Sequence, residues 1–348
     1  MCVLSLWSEK NIGRNFNMKT TGQAVKVPME VVYKPAWLTW IGSTTSCLNA
    51  LGVDCDRADV AGMTGYAFIM SVHKELCPSG PTVFDWGSLL SGISALGRST
   101  LMFQSMDCHT GDFKCDRTRE HCRQVFELVR REIEAGRPCV LWGTYVPEFG
   151  VVYGIEGENY LVKTFKECMN EEQPPIPYDG IDAPGGPYML GFPSKTEFKE
   201  EWYPSFEKNA IGTGVANLTK TIHFTNYAIG LNAYGQWIKA LEENKAHVFG
   251  NAYNAQCWSE AKFFAHEFIA KLARKHEKVA KVLGKAEKHY DDVVNAMKTV
   301  STLFPFPPGE QLKEESVRKE AIDALRRAKD SETLAVKALT ESLDMDWS

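Results

Sequence analysis

The sequence predicts an α+β protein, in which helices and an antiparallel sheet form a first domain and a helical bundle forms a second. Before about residue 220, glycine, proline and aromatic residues interrupt short apolar runs, whereas long stretches with few helix breakers follow. In the first part, helix-like segments precede strand-like ones, which is typical of α+β domains. We expect an N-terminal extension over residues 1–29, an α+β domain over 30–205 and a helical bundle over 223–343.

Local patterns predict each element of the first domain. The helical segments are predicted over 44–51, 59–73, 84–97 and 117–135, and the extended segments over 99–105, 137–145 and 188–192. Gly52 follows the first helix and is expected to end it. Two apolar runs over 149–165 flank a turn that contains Gly157 and Asn159, which predicts a hairpin. The stretch 166–187, rich in proline, glutamate and glycine, is predicted to be a long loop.

Four sets of apolar residues in the second part repeat at spacings of three and four, which predicts four amphipathic helices. The sets lie over 227–241, 257–272, 279–300 and 321–339. The third helix is expected to end at "LFPFPPG", where prolines block further helical hydrogen bonds. Together the four helices form the predicted bundle.

Composition excludes several classes of function. The chain has 348 residues, 44% of them hydrophobic, and a net charge of −5, so we expect no nucleic-acid partner. No apolar run approaches the roughly 18 residues of a membrane span, and the N-terminal apolar run is too short for an export signal. Ten irregularly spaced cysteines then indicate reduced thiols in a cytoplasmic protein.

Cys47, in the stretch "GSTTSCLNALG", is the candidate nucleophile. If a helix begins at the preceding serines and threonines, the sulfur lies in the first turn, where backbone N–H groups and the helix dipole favour a thiolate. Ser46 would then lie at the substrate. The alternative is that Cys47 is a half-buried small apolar residue, and the local sequence leaves both interpretations open.

The sequence predicts no metal or other cofactor. Three cysteines and two histidines lie in "CHTGDFKCDRTREHC", but gaps of seven residues do not match the close pairs of structural zinc sites. The segment "HEFIAKLARKH" separates its histidines by ten residues rather than the four of a zinc protease. A polar loop that leads into a helix accounts for the first stretch.

The first domain resembles the N-terminal domain of the butirosin biosynthesis protein H family, a papain-like thiol fold related to bacteriocin-processing cysteine peptidases. The resemblance is carried by the cysteine at a helix start, the glycine-bearing helix over 59–73 and "GRPCVLWG…FGVVYGIEGENYLVKTF", and it covers residues 35–200. It implies a cysteine nucleophile on a central helix and a histidine before the following strand. It also implies acyl transfer from a carrier-protein thioester to an amine.

The chain departs from that pattern at the base. Glu148 stands where the histidine is expected, and the acid of the second hairpin strand is absent near Lys163 and Thr164. A thiol without an imidazole lacks the group that takes its proton and later returns it. Glu148 could act as the base if burial raised its pKa. An imidazole from elsewhere, such as His73, His223 or His247, is the other source.

Three functions follow as hypotheses, of which the third is a purely structural partner protein whose helical half mediates assembly. The first is a thiol-dependent acyltransferase or amide or thioester hydrolase with Cys47 as nucleophile and Glu148 as base, acting on a small-molecule or acyl substrate or on an acyl carrier protein. The second is a papain-like module without chemistry, in which Glu148 binds a small amine or a peptide-like ligand beside Trp142 and Tyr145. Asn254, beside a predicted helix start, is a further candidate binding residue, and a plain helix cap is the alternative interpretation of this stretch. The sequence leaves the oligomeric state open, including a homo-oligomer.

Overall fold

A computed structural model describes residues 23–105, 116–220 and 224–348. In chain order its α-helices are α1 (Thr39–Ala50), α2 (Arg57–Met63), α3 (Leu90–Ala95), α4 (Asp116–Glu134), α5 (Tyr203–Thr219), α6 (Leu231–Glu242), α7 (Val248–Lys275), α8 (Ala280–Leu303) and α9 (Glu315–Leu343). Its strands are β1 (Val25–Lys26), β2 (Ser71–His73), β3 (Leu101–Gln104), β4 (Cys139–Trp142), β5 (Phe149–Glu156), β6 (Asn159–Lys163), β7 (Ile176–Pro177), β8 (Tyr188–Gly191) and β9 (Tyr227–Ile229). The predicted α+β class is confirmed, with an antiparallel sheet and a helical C-terminal region.

The elements divide into two compact units, each made of two stretches of chain. The sheet unit contains the described residues as far as Arg57 together with Leu96–Glu197, and the helical unit contains Ala58–Ala95 together with Phe198–Ser348. The predicted domains over 30–205 and 223–343 are, by contrast, contiguous in sequence. The difference arises because residues 58–95 have their packing partners among the C-terminal helices.

One antiparallel sheet organises the sheet unit. Its described strands follow the order β3-β8-β4-β5-β6-β7, and β1 pairs with the far end of β5. The predicted hairpin is confirmed as β5 and β6, joined at Gly157, with the Asn159 side-chain amide donating to the Glu156 carbonyl at 3.0 Å. All residues of β4 and β8 are buried, and α1 and α4 both pack against β4 and β5. The core of this unit therefore lies on the sheet.

Long helices form the helical unit. Helix α8 packs against α7 and α9, while α5 and α6 pack against α9. All four predicted C-terminal helices are confirmed, as α6 to α9. Their apolar faces bury large side chains, including Trp237, Trp258 and Tyr290, which are completely inaccessible. Burial of these rings is the main favourable contribution to the folding of this unit.

Residues 58–95 contribute short elements to the helical unit. The helix predicted over 59–73 is interrupted at Gly65, whose φ of +76° is a left-handed conformation that glycine adopts without strain. A 3₁₀ turn and strand β2 follow instead of a continuous helix, and β2 pairs with β9. Phe68 in that turn meets Tyr290 of α8 edge-on, with ring centroids 6.2 Å apart. This contact places the segment with the C-terminal helices.

Candidate functional site

Helix α1 begins five residues before the predicted start, at Thr39 rather than Thr44. The hydroxyls that suggested a helix cap lie inside the helix, and two of them donate to backbone carbonyls one turn back, Thr45 to Ile41 at 2.8 Å and Ser46 to Gly42 at 2.7 Å. Serine and threonine satisfy their hydroxyls in this way when they are buried within a helix. The predicted helix start was therefore wrong, because the same residue types serve as caps and as interior residues.

The shift in the helix start moves Cys47 from the first turn to the third. Its side chain is completely buried, and burial raises the pKa of the thiol well above its ordinary value. The neighbouring Cys139 of β4 is equally buried, and its pKa is raised chiefly by burial and also by Cys47. The prediction that Cys47 lies among the free N–H groups of a helix start was wrong. The described geometry stabilises the neutral thiol.

The residue at the helix start is Thr39, which contacts Glu148. The Thr39 hydroxyl donates to Glu148 Oε2 over 2.5 Å and accepts from the Phe149 backbone N–H over 3.0 Å. Thr39 is buried, whereas Glu148 is half-buried. The carboxylate therefore lies beside the N-terminus of α1, where the helix dipole favours negative charge.

A tight loop between β4 and β5 positions Glu148. The backbone N–H groups of Gly143 and Thr144 both donate to the Glu148 carbonyl, at 2.9 and 3.2 Å. The Glu148 N–H in turn donates to the Val146 carbonyl at 2.6 Å. Because these bonds close the loop on itself, the backbone that carries the carboxylate is held in one conformation.

Cys47 and Glu148 are not brought together as nucleophile and base. Glu148 contacts the first residue of α1, and Cys47 lies eight residues further along the same helix. At 1.5 Å per residue, this corresponds to about 12 Å along the helix axis. A base must come within hydrogen-bond reach of the proton that it removes, so Glu148 does not serve the Cys47 thiol in this arrangement.

Ser46 and Tyr145 use their polar groups on the protein itself. The Ser46 hydroxyl, besides donating within α1, accepts from the Lys34 N–H at 2.8 Å. The Tyr145 hydroxyl donates to the Pro174 carbonyl at 2.5 Å, and Lys166 Nζ lies 4.4 Å from its ring centre. Burial raises the pKa of Tyr145. Tyr145 also has a φ of +74°, which strains a non-glycine residue and marks the 143–148 loop as a constrained segment.

An aromatic cluster of Trp40, Trp142, Phe149 and Tyr188 lies next to this loop. The ring centres of Trp142 and Phe149 are 4.6 Å apart, and those of Phe149 and Tyr188 are 5.5 Å apart. The Trp40 indole N–H donates to the Tyr188 hydroxyl at 3.1 Å. The backbone N–H of Phe149 also donates to the Thr39 hydroxyl, so the buried cluster and the Thr39–Glu148 pair meet at this residue.

The sequence did not single out Thr39 or Phe149. A threonine before a tryptophan carries no distinctive pattern, and its pairing with Glu148 joins residues 109 positions apart. Of the residues at this site, the sequence named Glu148, because it stands before β5 at the position where the resemblance expects the base.

Asn254 lies in the helical unit and uses its side chain within it. The amide nitrogen donates to the carbonyls of Cys77 and Gly250, at 3.0 and 2.8 Å, and the amide oxygen accepts from the Trp258 indole at 3.0 Å. The residue is completely buried. These bonds assign Asn254 a structural role between α7 and the 77–80 turn.

The histidines considered as alternative bases have other surroundings. His73 is the last residue of strand β2 rather than the end of a helix, and its Nδ1 accepts from the Glu75 N–H at 3.2 Å. His247 caps α7 by accepting from the Gly250 N–H at 3.0 Å. Both belong to the helical unit. His223 lies outside the described residues.

Within the described ranges, no group of three or more histidine, cysteine, aspartate or glutamate side chains is placed to hold a metal ion. Of the cysteine- and histidine-bearing stretch, Cys108, His109 and Cys115 lie outside those ranges. Cys122 is buried in α4, and His121 contacts Ser105. Of the described helices, none combines the length and apolar composition that crossing a bilayer requires.

No family model matches the chain, and no curated protein matches it either. The chemistry of the residues at the start of α1 is therefore the basis for a functional assignment.

Proposed function

We propose that the sheet unit is a papain-like module that binds the cationic group of a small amine or peptide-like ligand at Glu148, without thiol chemistry. The observation that carries this proposal is the pairing of Glu148 with Thr39 at the start of α1, while Cys47 is buried about two turns further along. An antiparallel sheet with a helix packed on it is compatible with a papain-like arrangement.

A buried thiol argues against covalent catalysis. The thiolate is the reactive form, and burial disfavours that charged form at Cys47. An acyl donor would also need to reach a sulfur that has no exposed surface. Transfer from a carrier-protein thioester therefore has no support in the arrangement of Cys47.

Glu148 has the chemistry that an ammonium group requires. A carboxylate accepts hydrogen bonds at both of its oxygens, and the Thr39 hydroxyl donates to Oε2. The four residues of the aromatic cluster are all buried, so the contact with the cation is assigned to the carboxylate and not to ring faces. A charge-assisted hydrogen bond contributes about 1.5–3 kcal/mol, so the carboxylate would account for roughly 10- to 100-fold in affinity.

Calorimetric titration of the full chain with putrescine and with a Gly-Ala dipeptide tests the proposal. We expect binding to weaken at least ~10-fold in Glu148→Gln, as the loss of one charge-assisted contact implies. Glu156→Gln is the matched control, because Glu156 ends the same strand that Glu148 precedes. Cys47→Ala should also bind like the unaltered chain.

Three outcomes would overturn the proposal. They are equal affinity in Glu148→Gln, absence of binding by both probes, and an acylated Cys47 after exposure to a thioester. The last would instead support the thiol-dependent acyltransferase or hydrolase.

A further inference from the structure

We propose that Ser105 and His121 form a second site in the sheet unit, a nucleophile and base that accept an acyl group from an activated ester. The Ser105 hydroxyl lies 2.6 Å from His121 Nδ1. This is hydrogen-bond distance, as general-base activation of a hydroxyl requires. The pair shares no residue with the Glu148 site.

Strand β3 and helix α4 hold the two side chains in place. Ser105 directly follows β3, and its N–H donates to the Pro187 carbonyl at 3.0 Å, which continues the pairing of Gln104 with Tyr188. His121 lies in the second turn of α4. Its ring meets Phe103 of β3 edge-on, with centres 6.1 Å apart. The serine is therefore fixed by the sheet, and the imidazole is positioned by a ring contact to the same strand.

Ser105 is buried, with 6% of the residue exposed, whereas His121 is half-buried, and the backbone of Gly186 packs against the serine. Gly185 and Gly186 have φ values of +84° and +102°. A Cβ at position 186 would lie 3.1 Å from the Ser105 hydroxyl oxygen, whereas a Cβ at position 185 would meet nothing within 4 Å. The chain thus passes close to the hydroxyl only because residue 186 has no side chain. The half-buried His121 is the more accessible member of the pair, so an ester would reach Ser105 from the side of the imidazole.

The arrangement supports one balanced step. With the imidazole proton on Nε2, Nδ1 accepts the proton of the Ser105 hydroxyl as its oxygen bonds to the ester carbonyl carbon. The bond between that carbon and the leaving oxygen then breaks, and the departing alkoxide or phenolate receives the proton from His121. In the second half, water gives a proton to His121 Nδ1 as its oxygen bonds to the acyl carbon. The bond between that carbon and the Ser105 oxygen then breaks, the serine oxygen takes the proton from His121, and the acid is released.

The test uses p-nitrophenyl acetate with the full chain, followed by mapping of acetylated peptides. We expect release of p-nitrophenolate and an acetyl group on Ser105. A general base contributes about 10²- to 10⁴-fold, so acetylation of Ser105 should slow at least ~100-fold in His121→Gln and be absent in Ser105→Ala. Ser99→Ala is the matched control, since Ser99 belongs to the same unit and its hydroxyl pairs only with the backbone of Ser194 among its described contacts.

Two results would overturn this proposal. One is acetylation of other residues with Ser105 unmodified in the unaltered chain, a measurement that needs no variant to fold. The other is an unchanged rate in a folded His121→Gln protein. Glu148→Gln should leave the labelling unaffected, which separates this proposal from the proposed function.

Discussion

Glu332 of α9 and Lys262 of α7 form an ion pair in the interior of the helical unit. The atoms Lys262 Nζ and Glu332 Oε1 are 2.7 Å apart, and both side chains are completely inaccessible. Two tyrosine hydroxyls complete the arrangement, since Tyr290 donates to Oε1 at 2.8 Å and Tyr234 donates to Oε2 at 2.7 Å. Replacing Glu332 by Gln would leave the ammonium group buried beside a neutral amide.

Breaking a buried pair by removing one charge costs about 3–5 kcal/mol, because the remaining charge stays desolvated. For a unit of 150–250 residues, 1 kcal/mol corresponds to about 2–4 °C in Tm. We therefore expect Glu332→Gln to lower the Tm of the helical unit by roughly 6–20 °C. Thermal unfolding followed by circular dichroism at 222 nm measures this change.

Removing the whole network should be far less costly. In a variant that combines Lys262→Met, Glu332→Met, Tyr234→Phe and Tyr290→Phe, no charge or hydroxyl of the four stays buried without a partner. Such apolar replacements of buried ion pairs are often neutral or stabilising. The reasoning would be refuted if the Tm of the Glu332→Gln protein lay within about 1–2 °C of the Tm of the unaltered chain, because this is below the expected decrease.

Three further predictions concern titration, local hydrogen bonding and thiol access. Burial raises the pKa of Tyr234 and Tyr290, so these hydroxyls stay protonated in the folded chain at a pH where they ionise in the unfolded chain. Their contribution to the free energy of unfolding is therefore fully present below the ordinary tyrosine pKa of about 10. Above that pH it falls by ~1.4 kcal/mol per pH unit for each tyrosine. Urea titrations from pH 9 to 11 should show the slope above pH 10 reduced by about 1.4 kcal/mol per pH unit when either tyrosine is replaced by Phe, and an unchanged slope would contradict this. Thr39→Val should lower the free energy of unfolding by about 1–3 kcal/mol, because the buried Phe149 N–H loses its acceptor. An unchanged free energy in urea unfolding would contradict this. Iodoacetamide at pH 8.5 should modify the exposed Cys168 while Cys47 reacts only in urea, and rapid labelling of Cys47 in the folded chain would contradict its burial.

Local patterns were sufficient for most helices and for the hairpin. The apolar repeat that predicted a helix over 117–135 matches α4, because one face of that helix packs on the sheet and the other meets water. Helix α5 was missed. Its sequence, "YPSFEKNAIGTGVANLT", contains two glycines and no strong apolar stripe, so nothing local indicated a helix. Packing against α9 stabilises it instead.

The candidate site was predictable only in part. Glu148 was identified from its place before a predicted strand, but its partner Thr39 was not, since the contact spans 109 residues. The hydroxyls before Cys47 suit a helix cap and a buried helix interior equally well in sequence. Whether these hydroxyls cap a helix or lie inside it depends on how the rest of the chain packs against them. Here residues 39–48 are all buried, so the hydroxyls lie inside the helix.

The sequence by itself determined the α+β class, the four C-terminal helices and the β5–β6 hairpin, because the periodicity of apolar residues and the position of turn residues are local properties. The tertiary structure alone decided where α1 begins, that Cys47 is buried, that Glu148 meets Thr39 and that Ser105 meets His121. Each of these depends on which surfaces are covered by distant parts of the chain. Desolvation and hydrogen bonding, which set the reactivity of a side chain, arise only once those surfaces meet.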